Sequence, residues 1–105
     1  MYKSKRSKAT DIPMSVKKKV WERDHHHCIY CGSPYAMPSC HYIARSHGGL
    51  GIEQNIVTLC QDCHHNFDNG KDKRAKQAIK DKIEAHLRAK YEDWDNYTLT
   101  YKKSP

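Results

Sequence analysis

Two knuckles, Cys28-Ile-Tyr-Cys31 and Cys60-Gln-Asp-Cys63, bracket the run Cys40-His-Tyr-Ile-Ala-Arg-Ser-His-Gly-Gly49, and the second knuckle continues as His64-His-Asn-Phe-Asp68. Cys28, Cys31, Cys60 and Cys63 form two C-x-x-C pairs, the spacing that lets four thiolates close tetrahedrally on one zinc ion. The spacer from Gly32 to Leu59 is longer than a minimal zinc ribbon needs, and it carries His41 and Asn55. Something beyond a metal staple is built between the knuckles.

Residues 21–70 resemble the HNH endonuclease family, whose signature threads a His, an Asn and a His through a strand, a loop, a strand and a helix stapled by four cysteines. His41, Asn55 and His64 stand at those places, with the Gly48-Gly49 turn and both knuckles in the expected order. The resemblance implies an α+β, zinc-stabilised ββα-metal (His-Me finger) fold. It also implies metal-dependent hydrolysis of DNA phosphodiester bonds, by nicking or double-strand cutting, that leaves 5′-phosphate and 3′-hydroxyl ends. By matched position His41 is the general base, Asn55 holds the loop that carries it, and His64 ligates one catalytic divalent ion. Family members also commonly ligate that ion through the residue before the first His, as Asp or His. Here that residue is Cys40.

The residue types suit those roles. A histidine with a pKa near 6.5 is neutral and basic at physiological pH and can deprotonate a water. His64 follows the zinc knuckle, so the staple fixes its backbone. Asp68, four residues on, shares its helical face and can share the ion, whereas His65 is rotated about 100° away. A thiolate is a poor partner for Mg²⁺. Either Cys40 leaves the shell to His64, Asp68 and water, or the site prefers Mn²⁺, Ni²⁺ or Zn²⁺. A strict strand would point Cys40 and His41 to opposite faces, so joint work needs a distorted strand end.

A chain of 105 residues is one domain and buries only about two-thirds of its unfolded surface. With 37% hydrophobic and 30% charged residues, its core is thin, and a structural metal worth on the order of 10 kcal/mol is a fitting stabiliser. The chain opens Met-Tyr-Lys-Ser-Lys-Arg, with no apolar signal segment. The expectation is therefore reduced cysteines in the cytoplasm of a bacterial or phage-infected cell. No run approaches the ~20 apolar residues of a membrane span.

The formal net charge is +7, and the basic residues crowd the start: Lys3, Lys5, Arg6, Lys8, Lys17, Lys18 and Lys19 against Asp11 alone. Such a segment attracts polyanions by counterion release. Lys3, Lys5, Arg6, Lys8, Lys17, Lys18 and the loop residue Arg45 are the candidate nucleic-acid contacts.

Residues 1–12 read as a mobile basic arm, and 13–96 as the nuclease domain with its knuckles and ββα core at 28–70. A helix capped by Ser15 runs to about Asp24, burying Val16, Val20 and Trp21. His25, His26 and His27 read as loop residues, because the four thiolates already complete the site. Strands are expected at 39–44 and 56–59, separated by a loop whose Gly48, Gly49 and Gly51 supply positive φ. A short helix follows at 60–69. The longest helix, about 73–94, carries the apolar stripe Ile79, Ile83, Leu87, Tyr91 and Trp94, and its charges read as a solvated face. Residues 97–105 are a tail whose Tyr97-Thr-Leu-Thr-Tyr101 alternates like an edge strand.

The alternative function is a non-catalytic zinc-containing module that binds nucleic acid. Compact stand-alone HNH proteins resemble those of phages that assist genome packaging, which implies DNA and packaging proteins such as terminase or portal as partners. They also resemble mobile-element and restriction nucleases.

Overall fold

The computed structural model describes residues 4–102. Among them the chain forms α1 (Lys5–Thr10), α2 (Met14–Arg23), β1 (Ala36–His41), β2 (Ile56–Cys60), α3 (Gln61–Asp68) and α4 (Lys73–Lys90), with 3-10 turns at Arg45–His47 and Tyr97–Leu99. The β1, β2 and α3 segment with its four-cysteine cluster is the ββα-metal arrangement.

β1 and β2 pair antiparallel, with Met37 opposite Leu59 and Cys40 opposite Val57. The register shifts between Met37 and Cys40, so β1 carries an extra residue there. Pro38, which has no N–H to give a ladder, sits in this irregular stretch. β1 therefore begins at Ala36 and ends at His41, earlier than the expected 39–44. Beyond His41 the backbone bonds pass to Asn55: Tyr42 N donates to Asn55 O at 2.7 Å and Ile43 N to Asn55 Oδ1 at 2.9 Å.

The core joins Cys40, Tyr42, Val57 and Leu59 to Phe67 of α3 and to Ile79, Ile83 and Leu87 of α4. Each fully buried aliphatic side chain of this kind contributes roughly 1.5–3 kcal/mol of transfer free energy. α4 stops at Lys90, before the expected 94, because Tyr91 is extended (φ −129°, ψ 119°). The chain then turns back so that Trp94 donates Nε1–H to Gln54 O at 2.7 Å and meets Tyr42 edge-on at 5.3 Å.

α2 packs against both strands and buries Val20 completely. Its N-cap is Pro13, with no side-chain cap bond. The expected cap Ser15 lies inside the first turn, since Pro13 already supplies the extended residue at which the helix can begin. At the other end Asp24 is buried and accepts from Arg23, from His86 Nε2 at 2.7 Å and from Thr58 N at 2.9 Å. Burial works against its charge, but the bonds from His86 and Arg23 prevail and hold the carboxyl down at about 2. This network ties α2 to β2 and α4.

Residues 4–12 differ from the expected mobile arm, the rest of which, residues 1–3, lies outside the described residues. Ser4 caps α1 by accepting from Ser7 N at 3.1 Å, and the helix ends before Pro13, whose ring disfavours helical geometry at Ile12. Six residues cannot hold a helix alone. Tertiary bonds do so: Gly51 N donates to Ala9 O at 3.0 Å, Arg6 donates to Ser46 O at 2.9 Å, and Thr10 is buried. The C-terminal segment also docks. Leu50 N donates to Leu99 O and Tyr101 N to Gly48 O, each at 2.8 Å, and Leu99 is fully buried. The alternation of residues 97–101 thus yields a turn and one bridge, Thr100 to Gly49, where an edge strand was expected.

Candidate active site

The four knuckle cysteines come together, with their sulfurs within 4.8 Å of one another. Cys31 Sγ and Cys60 Sγ are 3.5 Å apart, far beyond a disulfide bond and near the roughly 3.8 Å edge of a tetrahedron with 2.3 Å Zn–S bonds. Each knuckle turns a backbone N–H onto its first sulfur, Cys31 N to Cys28 Sγ and Cys63 N to Cys60 Sγ, both at 3.5 Å. Burial opposes the charge on Cys28, but the surrounding backbone N–H groups bring its thiol down to about 7. The donor set fits a structural zinc ion. Cys60 is also the N-cap of α3, so the staple orients that helix.

One turn further along α3, His64 Nε2 lies 2.8 Å from Asp68 Oδ2, on the shared face that the i, i+4 spacing demands. The buried Cys40 Sγ completes a second cluster with them, all three donor atoms within 4.8 Å of one another. Burial, then the charges of Asp68 and Cys28, push the Cys40 thiol well above its usual range. Burial thus favours the neutral thiol, a thiolate there would require a cation beside it, and these donors could hold a divalent ion. Cys40 reaches the cluster from the core, at a paired position just past the irregular stretch of β1.

His41 approaches from the open side. A cavity of about 840 Å³ is lined by His41, His64 and Asp68 together with Asp11, Lys17 and Arg45. The His41 ring bonds through Nε2 to the carbonyl oxygen of Thr10 at 2.8 Å. A carbonyl only accepts, so Nε2 carries the proton and Nδ1 is left as the ring's acceptor. Burial lowers the His41 pKa, with the Thr10 bond pulling the other way, which favours the neutral imidazole.

Asn55 is fully buried and spans the loop. Besides receiving Ile43 N, its amide donates to Ile43 O at 3.2 Å and to Leu50 O at 2.9 Å. Of the three expected positive-φ glycines only Gly48 has that geometry (φ 82°). Gly49 and Gly51 are required by close approach: a Cβ would lie 1.7 Å from Ile43 O at the first and 1.8 Å from Asp11 O at the second.

The basic residues scatter. Lys3 lies outside the described residues. Arg6 is spent on the loop carbonyls of Arg45 and Ser46, and Arg45 pairs with Asp11 at the cavity wall. Lys17 lines the cavity, while Lys5 and Lys18 are exposed elsewhere. Thr10 is the site residue that sequence reasoning missed. Its contribution is a backbone carbonyl, to which residue type is blind, and the only local hint was the Ser4 capping position ahead of α1.

Residues 28–70 match the HNH endonuclease family model, and the β1, β2 and α3 elements within that segment have the ββα-metal arrangement. Among solved structures the chain is similar to the Type IV phosphorothioation-dependent restriction endonuclease ScoMcrA, with a TM-score of 0.56 and 19% identity. The likeness covers 81% of this chain and 23% of that one, so this chain spans under a quarter of its neighbour's length. No curated protein matches the chain. No helix among the described residues is long and apolar enough to cross a membrane.

Proposed function

We propose that the protein is a metal-dependent HNH endonuclease that hydrolyses DNA phosphodiester bonds with His41 as general base. One observation carries the reading: His41, with Nδ1 free to accept, lines the same cavity as His64 and Asp68, whose donor atoms converge with Cys40 Sγ. His64, Asp68 and Cys40 would hold a divalent ion, which would supply positive charge to the phosphodiester. His41 Nδ1 takes the proton of the attacking water, and the Thr10 carbonyl keeps the ring in the tautomer and orientation that allow it. Asn55 holds the loop between Ile43 and Leu50, and so the strand end that carries His41. α1 is a positioning element in this reading, and Arg6 serves the loop before it serves phosphate. With sulfur among the donors, Mn²⁺, Ni²⁺ or Zn²⁺ suits the site better than Mg²⁺.

Supercoiled plasmid incubated with the pure protein under each of these four ions tests the proposal. Nicked or linear product under the softer ions is the expected result. An absence of cleavage under every ion, with DNA still retained, would establish the non-catalytic binding module instead.

A further inference from the structure

A second groove, of about 450 Å³, opens between the loop after β1 and the first half of α4. It shares His41, Ala44, Ser46 and Asp68 with the catalytic cavity. The two depressions therefore meet at the reacting groups, one leading towards Lys17 of α2 and the other towards Lys76 and Lys80 of α4. Lys76 and Lys80 stand one turn apart on one helical face and are both exposed. The acidic side chains within a turn of them have other partners. Asp72 caps α4 by accepting from Arg74 N and Ala75 N, Asp81 accepts from Gln77, and Glu84 accepts the Tyr42 hydroxyl at 2.6 Å. Neither ammonium takes part in any hydrogen bond or ion pair of the described residues.

A strand whose scissile phosphate sits between His41 and the His64–Asp68 pair must leave the site in two directions. We infer that Lys76 and Lys80 hold the backbone phosphates of the cleaved strand on one side of the scissile bond, opposite the side that leaves past Lys17. This inference rests on the nuclease reading and deepens it: α4 becomes a wall of the substrate track, where its charges alone read as a solvated face. Two cations with no counter-ion among the described residues, lining the exit of a phosphodiester site, favour a polyanion over an acidic protein patch because consecutive phosphates offer charge at every residue of the strand.

The experiment uses the zinc-loaded chain of 105 residues. DNA binding is measured from 50 to 200 mM salt in a His41→Ala background, with and without Lys76→Ala/Lys80→Ala, and with Lys82→Ala as the control. Residue 82 lies about 240° and 200° around the helix from 76 and 80. Alanine is a good helix former, and zinc content checks folding. The double substitution is expected to weaken binding and to reduce the slope of log K against log salt by about 1.8, at 0.9 per phosphate contact, while Lys82→Ala leaves the slope unchanged. Oligonucleotides shortened on one side of the cut should lose affinity for the parent but not for the double variant. An unchanged slope and the same response to shortening, in a protein whose wild type cuts DNA, would overturn this inference alone. A wild type that cuts under no divalent ion would take the nuclease reading down with it.

Discussion

The four-thiolate cluster and the Cys40–His64–Asp68 cluster draw on the same short stretch around α3, yet one is closed and the other open. Cys28, Cys31, Cys60 and Cys63 offer four sulfurs, enough to complete a tetrahedron, and three of them are at least half-buried. The second cluster has three donors, and two of them, His64 and Asp68, face the cavity that His41 lines. A closed site stabilises, while an open one leaves coordination positions for water and substrate. Placing them one helical turn apart lets the first site rigidify the second, because the staple that caps α3 at Cys60 also fixes the direction in which His64 and Asp68 project.

The strongest way to break this contrast is at the closed site. Structural zinc is worth roughly 10–16 kcal/mol in small domains, comparable with the whole stability of a domain, about 5–15 kcal/mol. Cys60→Ala, or removal of zinc by a chelator, is therefore expected to unfold most of the chain by far-ultraviolet circular dichroism. A metal-free chain that native mass spectrometry and dichroism show to be fully folded would contradict it.

At the open site the effects should be on rate. His41→Ala is expected to keep zinc, fold and DNA binding while cutting about 10²–10⁴-fold more slowly. His64→Ala should also stop cutting, but added divalent ion should restore part of its activity and none of that of His41→Ala. A metal titration of plasmid nicking distinguishes the two, and full-rate cutting by His41→Ala would show that another group is the base.

Gly51→Ala probes the link between α1 and His41, the proposed base. Its Cβ would lie 1.8 Å from Asp11 O, so the loop at 51 and the segment at 11–12 must separate, which shifts the neighbouring Thr10 carbonyl relative to His41. A misplacement of about 1 Å costs on the order of 10²-fold in rate. Zinc content should be unchanged, and a normal cutting rate would relieve α1 of its positioning role.

A smaller effect is expected outside both clusters, at Asp24. Its folded pKa, about 2, lies below the ordinary 3.8. Its contribution, about 2 kcal/mol by linkage, is therefore fully present above the unfolded value and lost as the pH falls towards 2. Asp24→Asn should lower the urea stability at pH 7 by about that amount and by no less at pH 5. A gap that closes between pH 7 and 5 would count against this account.

The smallest change sharpens the comparison at the shared boundary. Cys40→Asp should move the metal preference of cutting towards Mg²⁺, and Cys40→Ser should weaken metal affinity with little effect on the zinc. Identical ion profiles in all three proteins would place Cys40 outside the shell.

What could be read from the residues alone was local. The knuckles announce themselves by spacing, the His64–Asp68 pair by the period of a helix, and the apolar stripe of α4 by its i, i+4 repeat. Each depends on backbone geometry that a few neighbouring residues set. Cys40 was legible as a candidate but not as a member of the cluster, because its place there depends on how β1 packs against α3, some twenty residues away in sequence. The Thr10 carbonyl on His41, the docking of Leu99 under the glycine loop and the meeting of two grooves at His41 and Asp68 were not legible at all. They are made by backbone groups and by surfaces distant in the chain, and only the packed fold brings such groups within hydrogen-bonding distance.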